Sequence, residues 1–129
     1  MASITIGQLS ERTGEPAHVL RHWEDVGVLR SRRTEAGHRR YHPSAVAGVL
    51  TIRRLQRVGL GLPEIAALHR GGKGDRRALL ATHTERLREQ RDTIDAAIAF
   101  LGHTADCVHP ILDECPGCAA FATADRRPA

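Results

Sequence analysis

From Asp75 to Leu101 the chain runs without a proline or a glycine, and Leu80, Leu87, Ile94 and Leu101 recur at intervals of seven residues. That is the seam of a coiled coil. The spacing predicts one helix over 75–103, and a helix of about 27 residues spans about 40 Å. The companion positions are His83, Gln90 and Ala97 on one side and Thr84, Arg91 and Ile98 on the other. They are weak at the N-terminal end, so the strip is too thin to stand alone and needs a covering surface. Folding back onto the chain's own small domain would provide one. A second copy of the helix fits better, with Leu80, Leu87, Ile94, Ile98 and Leu101 as the expected homodimer seam.

The segment before this helix is built differently. Thr5 followed by Gln8 is a capping-box pattern that starts a helix near Ile6. Gly14 can end that helix in the left-handed conformation, and Pro16 presets the first turn of another. In this second helix, from about Pro16 to Val26, Val19, Leu20, Trp23 and Val26 form the buried face. Ala17, His18, Arg21, His22 and Asp25 lie largely off it. An outward Arg21 would be able to meet phosphate or base.

From Arg30 to His42 there are five arginines, two histidines and one acid, Glu35. No helical pattern fits. Glu35, Ala36 and Gly37 form a turn between two short strands, giving a ribbon that carries Arg32, Arg33, Arg39 and Arg40. A basic ribbon beside two short helices has the outline of a winged helix-turn-helix. Its guanidinium groups would contribute affinity for backbone phosphate more than sequence discrimination.

After the ribbon, Pro43 opens a third helix in which Val46, Val49, Leu50, Leu55 and Val58 are spaced to cover the back of the reader. Arg53, Arg54 and Arg57 are then outward, either on phosphate or as a solvated face. Leu62, Ile65, Ala66 and Leu68 of a short fourth helix close the domain, and GGKGD forms a joint with Asp75 as N-cap of the long helix.

Charge separates the two halves. The formal net charge is +4, yet residues 1–70 hold 11 basic and 6 acidic side chains and residues 71–129 hold 8 and 9. Only the first half suits a polyanion. The start MASITIG has no apolar signal segment, and no run approaches the roughly 20 apolar residues of a spanning helix. A cytoplasmic location with no membrane partner is expected. An apolar fraction of 41% with 3% aromatics implies an aliphatic core.

Three cysteines lie close together: Cys107, Cys115 and Cys118, the last two as a C-x-x-C, with His103 and His109 nearby. An odd number of clustered thiols in a reducing compartment suits metal binding better than a disulfide framework. Thiolates select soft ions, and Cys107, His109, Cys115 and Cys118 would supply three sulfurs and a nitrogen for a tetrahedral site. The alternative is that these cysteines are small buried hydrophobes.

LRHWEDVGVL, then GHRRY, then two further helices, resemble the DNA-binding domain of the MerR family of transcriptional regulators, closely over roughly the first seventy residues. His22 and His38 stand where the family pattern usually has aromatic residues. The resemblance implies contacts to double-stranded promoter DNA from Ala17, His18, Arg21 and His22 and from Arg32, Arg33, His38, Arg39, Arg40 and Tyr41. It also implies antiparallel pairing of two long helices and a near-palindromic operator. In the family the dimer bends and untwists an overlong promoter spacer so that RNA polymerase engages both elements, which is recognition through deformation.

Cys107 and Cys115-Pro116 match the two-cysteine loop of metal-responsive members, with a spacing similar to the copper branch. The divalent branch adds a cysteine at the start of the partner's long helix, and Lys73 to Ala78 has none. The four cysteines of the redox branch are not matched. His109 and Cys118 exceed the copper pattern, so Cu(I) and Zn(II) both stay open.

The expected fold is mainly α: a winged helix-turn-helix over 1–71, a long antiparallel coiled-coil dimerisation helix over 75–103, and an effector-binding loop and tail over 104–129. The expected function is a homodimeric DNA-binding regulator, not an enzyme. The alternatives are a small zinc-binding enzyme, a metal chaperone using the three thiols, or a similar regulator with no metal input.

Overall fold

The computed structural model describes residues 2–108 and 115–123. In chain order the elements are β1 (Ile4–Thr5), α1 (Ile6–Thr13), α2 (Ala17–Asp25), β2 (Arg32–Arg33), β3 (Arg39–Tyr41), α3 (Ala45–Arg57), α4 (Leu62–Arg70), α5 (Lys73–Asp106) and α6 (Pro116–Thr123). The fold is mainly helical with one small sheet. It divides into two compact units between Leu80 and Ala81.

In the first unit both halves of the capping box form. Thr5 Oγ1 accepts from the Gln8 N–H at 3.1 Å, and Gln8 Oε1 accepts from the Thr5 N–H at 2.9 Å. Gly14 then ends α1 at φ 77°. Pro16 is the cap before α2, not its first residue. Helix α1 packs on α2 and α3, and Leu9, Leu20, Trp23, Val49 and Ile52 are all buried. The core is therefore mainly aliphatic, with the Trp23 and Tyr41 rings buried in it.

Two residues expected in that core are not there. Leu50 and Val58 are 45% and 40% exposed. The inward stripe of α3 runs through Val49 and Ile52, one turn apart, which leaves Leu50 rotated off it, and Val58 is already the C-terminal cap.

The ribbon forms around Gly37 at φ 82°, with the Thr34 N–H donating to the His38 carbonyl at 2.9 Å. Strand β1 adds on its other side, so the sheet order is β1-β3-β2. Ile4 faces Tyr41, Arg32 faces Arg40, and Arg33 faces Arg39. Two residues cannot show an alternation pattern, so β1 has no signature of its own in the sequence.

Helix α5 extends beyond the expected 75–103 at both ends. The Arg76 N–H donates to the Gly72 carbonyl at 2.9 Å, so the helix starts earlier and Asp75 sits within its first turn. A carboxylate there still complements the positive end of the helix. Gly102 is absorbed within the helix, at a cost of about 1 kcal/mol relative to alanine.

On α5, Leu80, Ile94, Ile98 and Leu101 are between 46% and 63% exposed, and Leu87 is half-buried. Within the second unit the Phe100 and Phe121 rings stack with centroids 4.4 Å apart, joining the end of α5 to α6. Among the described residues no helix is long and apolar enough to cross a membrane.

Candidate functional site

The structure brings two groups of residues together, one basic and one rich in sulfur. The basic group is presented by α2 and the ribbon. His18, Arg21 and His22 are exposed on α2 and Ala17 is half-buried; Arg32, Arg33 and His38 are exposed on the ribbon, and Arg39 and Arg40 are half-buried.

The strand register sets these arginines in like-charged pairs, Arg32 opposite Arg40 and Arg33 opposite Arg39. Like charges directly opposite destabilise a sheet. Some are partly compensated. Arg39 Nε donates to Glu24 Oε2 at 3.0 Å, Arg40 donates to the hydroxyl and the carbonyl of Ser3 at 2.9 and 2.8 Å, and Arg33 Nη1 donates to the Gly37 carbonyl at 3.0 Å. No hydrogen bond or ion pair engages the Arg32 side chain among the described residues. An open depression of about 610 Å³ beside it is lined by Ser3, Arg30, Arg32, Arg40 and His42 among others. Such a surface suits a polyanion, which would neutralise the facing arginines.

Tyr41 is a correction to the expected contact set. Its side chain is fully buried, and its hydroxyl donates to Glu24 Oε2 at 3.1 Å. Burial, and then the Glu24 carboxylate, push its pKa up to about 12. Tyr41 therefore anchors the ribbon from within the core.

Glu24 is the residue that the sequence reading missed. It accepts from Ser31, Arg39 and Tyr41 and so ties α2 to both sides of the ribbon. In the sequence it is visible only as the glutamate of LRHWEDVGVL, with no partner marked for it. Arg53, expected to be outward, keeps a side chain 40% exposed and also holds both carboxylate oxygens of Glu15 and lies over the Trp23 ring at 5.2 Å. That pairing with Arg53 holds the Glu15 carboxyl below the usual carboxylate range. Arg54 and Arg57 stay exposed.

The sulfur group lies within the second unit. His103 in the last turns of α5, Cys107 just past its end, Cys115 just before α6 and Cys118 in the first turn of α6 offer ligand atoms that all lie within 4.8 Å of one another. Cys115 and Cys118 are buried, Cys107 is half-buried and His103 is exposed. The ring nitrogen Nε2 of His103 is 3.1 Å from Cys115 Sγ. His109, expected as the nitrogen ligand, lies outside the described residues, and the structure places His103 with the three thiols.

The two thiols of the Cys-Pro-Gly-Cys segment are driven apart electrostatically. The Cys118 backbone N–H and the His103 ring, both hydrogen-bonded to Cys115, bring its pKa down to about 6. A thiol at a helix start is favoured as thiolate for this reason. Burial, and then the neighbouring Cys115, push the Cys118 thiol up to about 11. The surroundings thus favour the thiolate at Cys115 and the thiol at Cys118.

Known proteins resemble this chain in sequence and in fold. Residues 4–71 match the model described as MerR HTH family regulatory protein, and residues 46–104 match that described as MerR, DNA binding. The nodulation protein NolA of Bradyrhizobium elkanii is 40% identical over 88 residues, 66% of this chain and 39% of that protein. The HTH-type transcriptional activator TipA of Streptomyces coelicolor is 31% identical over 112 residues, 86% of this chain and 42% of that protein. The chain thus spans about two fifths of the length of these relatives. The crystal structure of a MerR family transcriptional regulator from Listeria monocytogenes superposes with a TM-score of 0.69 at 26% identity, covering 81% of this chain and 84% of that one.

Proposed function

Since the chain belongs to the MerR family of DNA-binding transcriptional regulators, we propose that it works as a homodimer whose grip on promoter DNA responds to a soft metal ion at the thiol cluster. The observation that carries this reading is the layout of α5. Ile94, Ile98 and Leu101 leave an uncovered apolar strip on this helix, and His103, two residues further on, belongs to the cluster. The surface suited to pairing and the site suited to an effector share one rigid element.

Each part follows from its chemistry. A second α5 would cover the strip, and an apolar side chain taken fully out of water contributes roughly 1.5–3 kcal/mol. Two readers on a twofold axis call for a near-palindromic site. Exposed Arg21, His18 and His22 of α2 would face base edges, while Arg32, Arg33 and Arg40 would hold phosphates. The ribbon is held in place for this by Glu24 and Tyr41.

At the other end the donors fit a soft cation: three sulfurs and an imidazole close enough to share one ion. A bound cation would supply positive charge that permits all three thiols to stay deprotonated. Cys115 and Cys118 would then hold α6, and His103 and Cys107 the end of α5, in one arrangement. The cluster can bias the dimer only by the difference in its affinity for the ion between the two DNA-bound states. Bending and untwisting a promoter for RNA polymerase costs of order 1–6 kcal/mol, within the reach of tight ion binding.

Regulators make up the family and its neighbours, which sets the zinc enzyme aside, and a metal chaperone would leave the facing arginines unexplained. The test is a gel shift on DNA upstream of the chain's own gene, with sedimentation of the protein alone. A dimer that binds at low salt and releases steeply as salt rises supports the reading. A monomer, or no binding at low salt, contradicts it.

A further inference from the structure

We infer that the cluster is a closed four-ligand site of the Cys3His type for a tetrahedral divalent ion of the zinc class, with His103 as its nitrogen ligand. This rests on the reading of the cluster as a metal site and narrows it to one ligand set and one ion class.

The first argument is the number and placing of the donors. His103 and Cys107 are four residues apart at the end of α5, and Cys115 and Cys118 are three apart at the start of α6. His103 lies in the last turns of α5 with Cys107 just past its end, and Cys118 lies in the first turn of α6 with Cys115 just before it, so each helix end presents a pair. The two pairs converge until all four ligand atoms lie within 4.8 Å of one another. Tetrahedral zinc with bonds to sulfur of about 2.3 Å sets neighbouring sulfurs about 3.8 Å apart, so a small contraction completes the site. A two-coordinate monovalent ion between Cys107 and Cys115 would leave Cys118 and His103 without a task.

The second argument is independent of the donors. A Cβ built on Gly117 would lie 2.7 Å from His103 Cε1 and 2.9 Å from its Nε2. Any other residue in place of this glycine of Cys-Pro-Gly-Cys would force the imidazole to shift from this position. The ring sits over the glycine, and Nε2 is the atom that approaches Cys115 Sγ, at 3.1 Å. The Phe100–Phe121 stack adds a second rung between the same two helices, fixing the approach from the side.

Four protein ligands leave no open position on the ion, so the site would bind and hold without hydrolysing anything. Its effect would be mechanical, clamping α6 to the end of α5.

The experiment uses the full-length reduced protein. Zn(II) is titrated against a chromophoric chelator, and Co(II) is added separately as a spectroscopic probe. Wild type should take up one ion per chain, and the Co(II) form should show the intense visible bands of tetrahedral cobalt with sulfur-to-metal charge transfer. His103→Ala and His103→Gln should each weaken Zn(II) by more than roughly the 10- to 100-fold that loss of an outer-shell partner costs, and should change the cobalt spectrum. Gly117→Ala, which removes no ligand, should also weaken Zn(II), and His109→Ala should bind like wild type.

Wild-type affinity in both His103 variants together with a loss in His109→Ala would overturn this ligand set while leaving a metal site standing. So would Cu(I) binding with Zn(II) refused. No uptake of either metal by the reduced protein would overturn the metal reading itself.

Discussion

The buried hydroxyl of Tyr41 donates to Glu24 Oε2 at 3.1 Å, and through this bond the ribbon is fastened to the helix that carries Arg21. The same oxygen accepts from Arg39. Tyr41→Phe should therefore destabilise the fold by about 1.5–3 kcal/mol, the usual worth of a hydrogen bond to a charged acceptor. Glu24→Ala should cost more and weaken DNA binding on every sequence, because the ribbon loses its anchor while its arginines remain. Fluorescence anisotropy on specific and random duplexes, with urea melts in parallel, checks both. Unchanged affinity in Glu24→Ala would show that the ribbon needs no such anchor.

The facing arginines make a prediction with opposite signs. Arg32→Ala removes a cation opposite Arg40, so the free protein should keep its stability or gain roughly 0.2–1 kcal/mol. Binding to DNA should weaken, and the salt slope should fall by about one unit, since one phosphate fewer is neutralised. An equal loss of stability and affinity would mean that Arg32 serves the fold and not the ligand.

Acid sensitivity should trace in part to Glu15. Arg53 lowers its pKa in the folded chain, so below the folded value both states are protonated and the pair contributes nothing. Its contribution grows as pH rises from the folded to the unfolded value near 4.5 and is constant above that. Glu15→Gln should be less stable than wild type at pH 7, and the difference should shrink as pH drops below about 4.5. Urea melts across this range check it, and a difference that stays constant from about pH 7 to about pH 3 would contradict the pairing.

For the long helix, Ile94→Asp changes a side chain that is half exposed in the single chain. The monomer fold should be little altered, because the charge stays in water. In a paired seam the same charge would lose its water without gaining a partner. Sedimentation should show monomers with poor operator affinity, and an intact dimer would place the interface elsewhere.

Much of this is legible in the sequence, and the failures at the two candidate sites share a cause. Thr5 and Gln8, Gly14, Gly37 and the unbroken 75–101 stretch act locally, through caps, turns and periodicity, and each forms as the residues imply. Residues whose role depends on a distant partner are misjudged. Tyr41 reads as a ribbon contact until Glu24, 17 residues away, is found beneath it. Arg53 reads as a surface cation until Glu15, 38 residues away, closes on it. His103 is visible beside the thiols, but only the packing of α6 shows that Gly117 makes room for it.

The most direct test of the account is transcription in vitro from the promoter that the protein binds, with RNA polymerase, with and without Zn(II) or Cu(I), comparing wild type with the Cys107→Ser, Cys115→Ser double variant. The account predicts that metal changes transcript yield with wild type and not with the double variant, while metal-free DNA binding is nearly equal in the two. A double variant that responds to metal as wild type does would contradict it and leave a MerR family regulator with some other input.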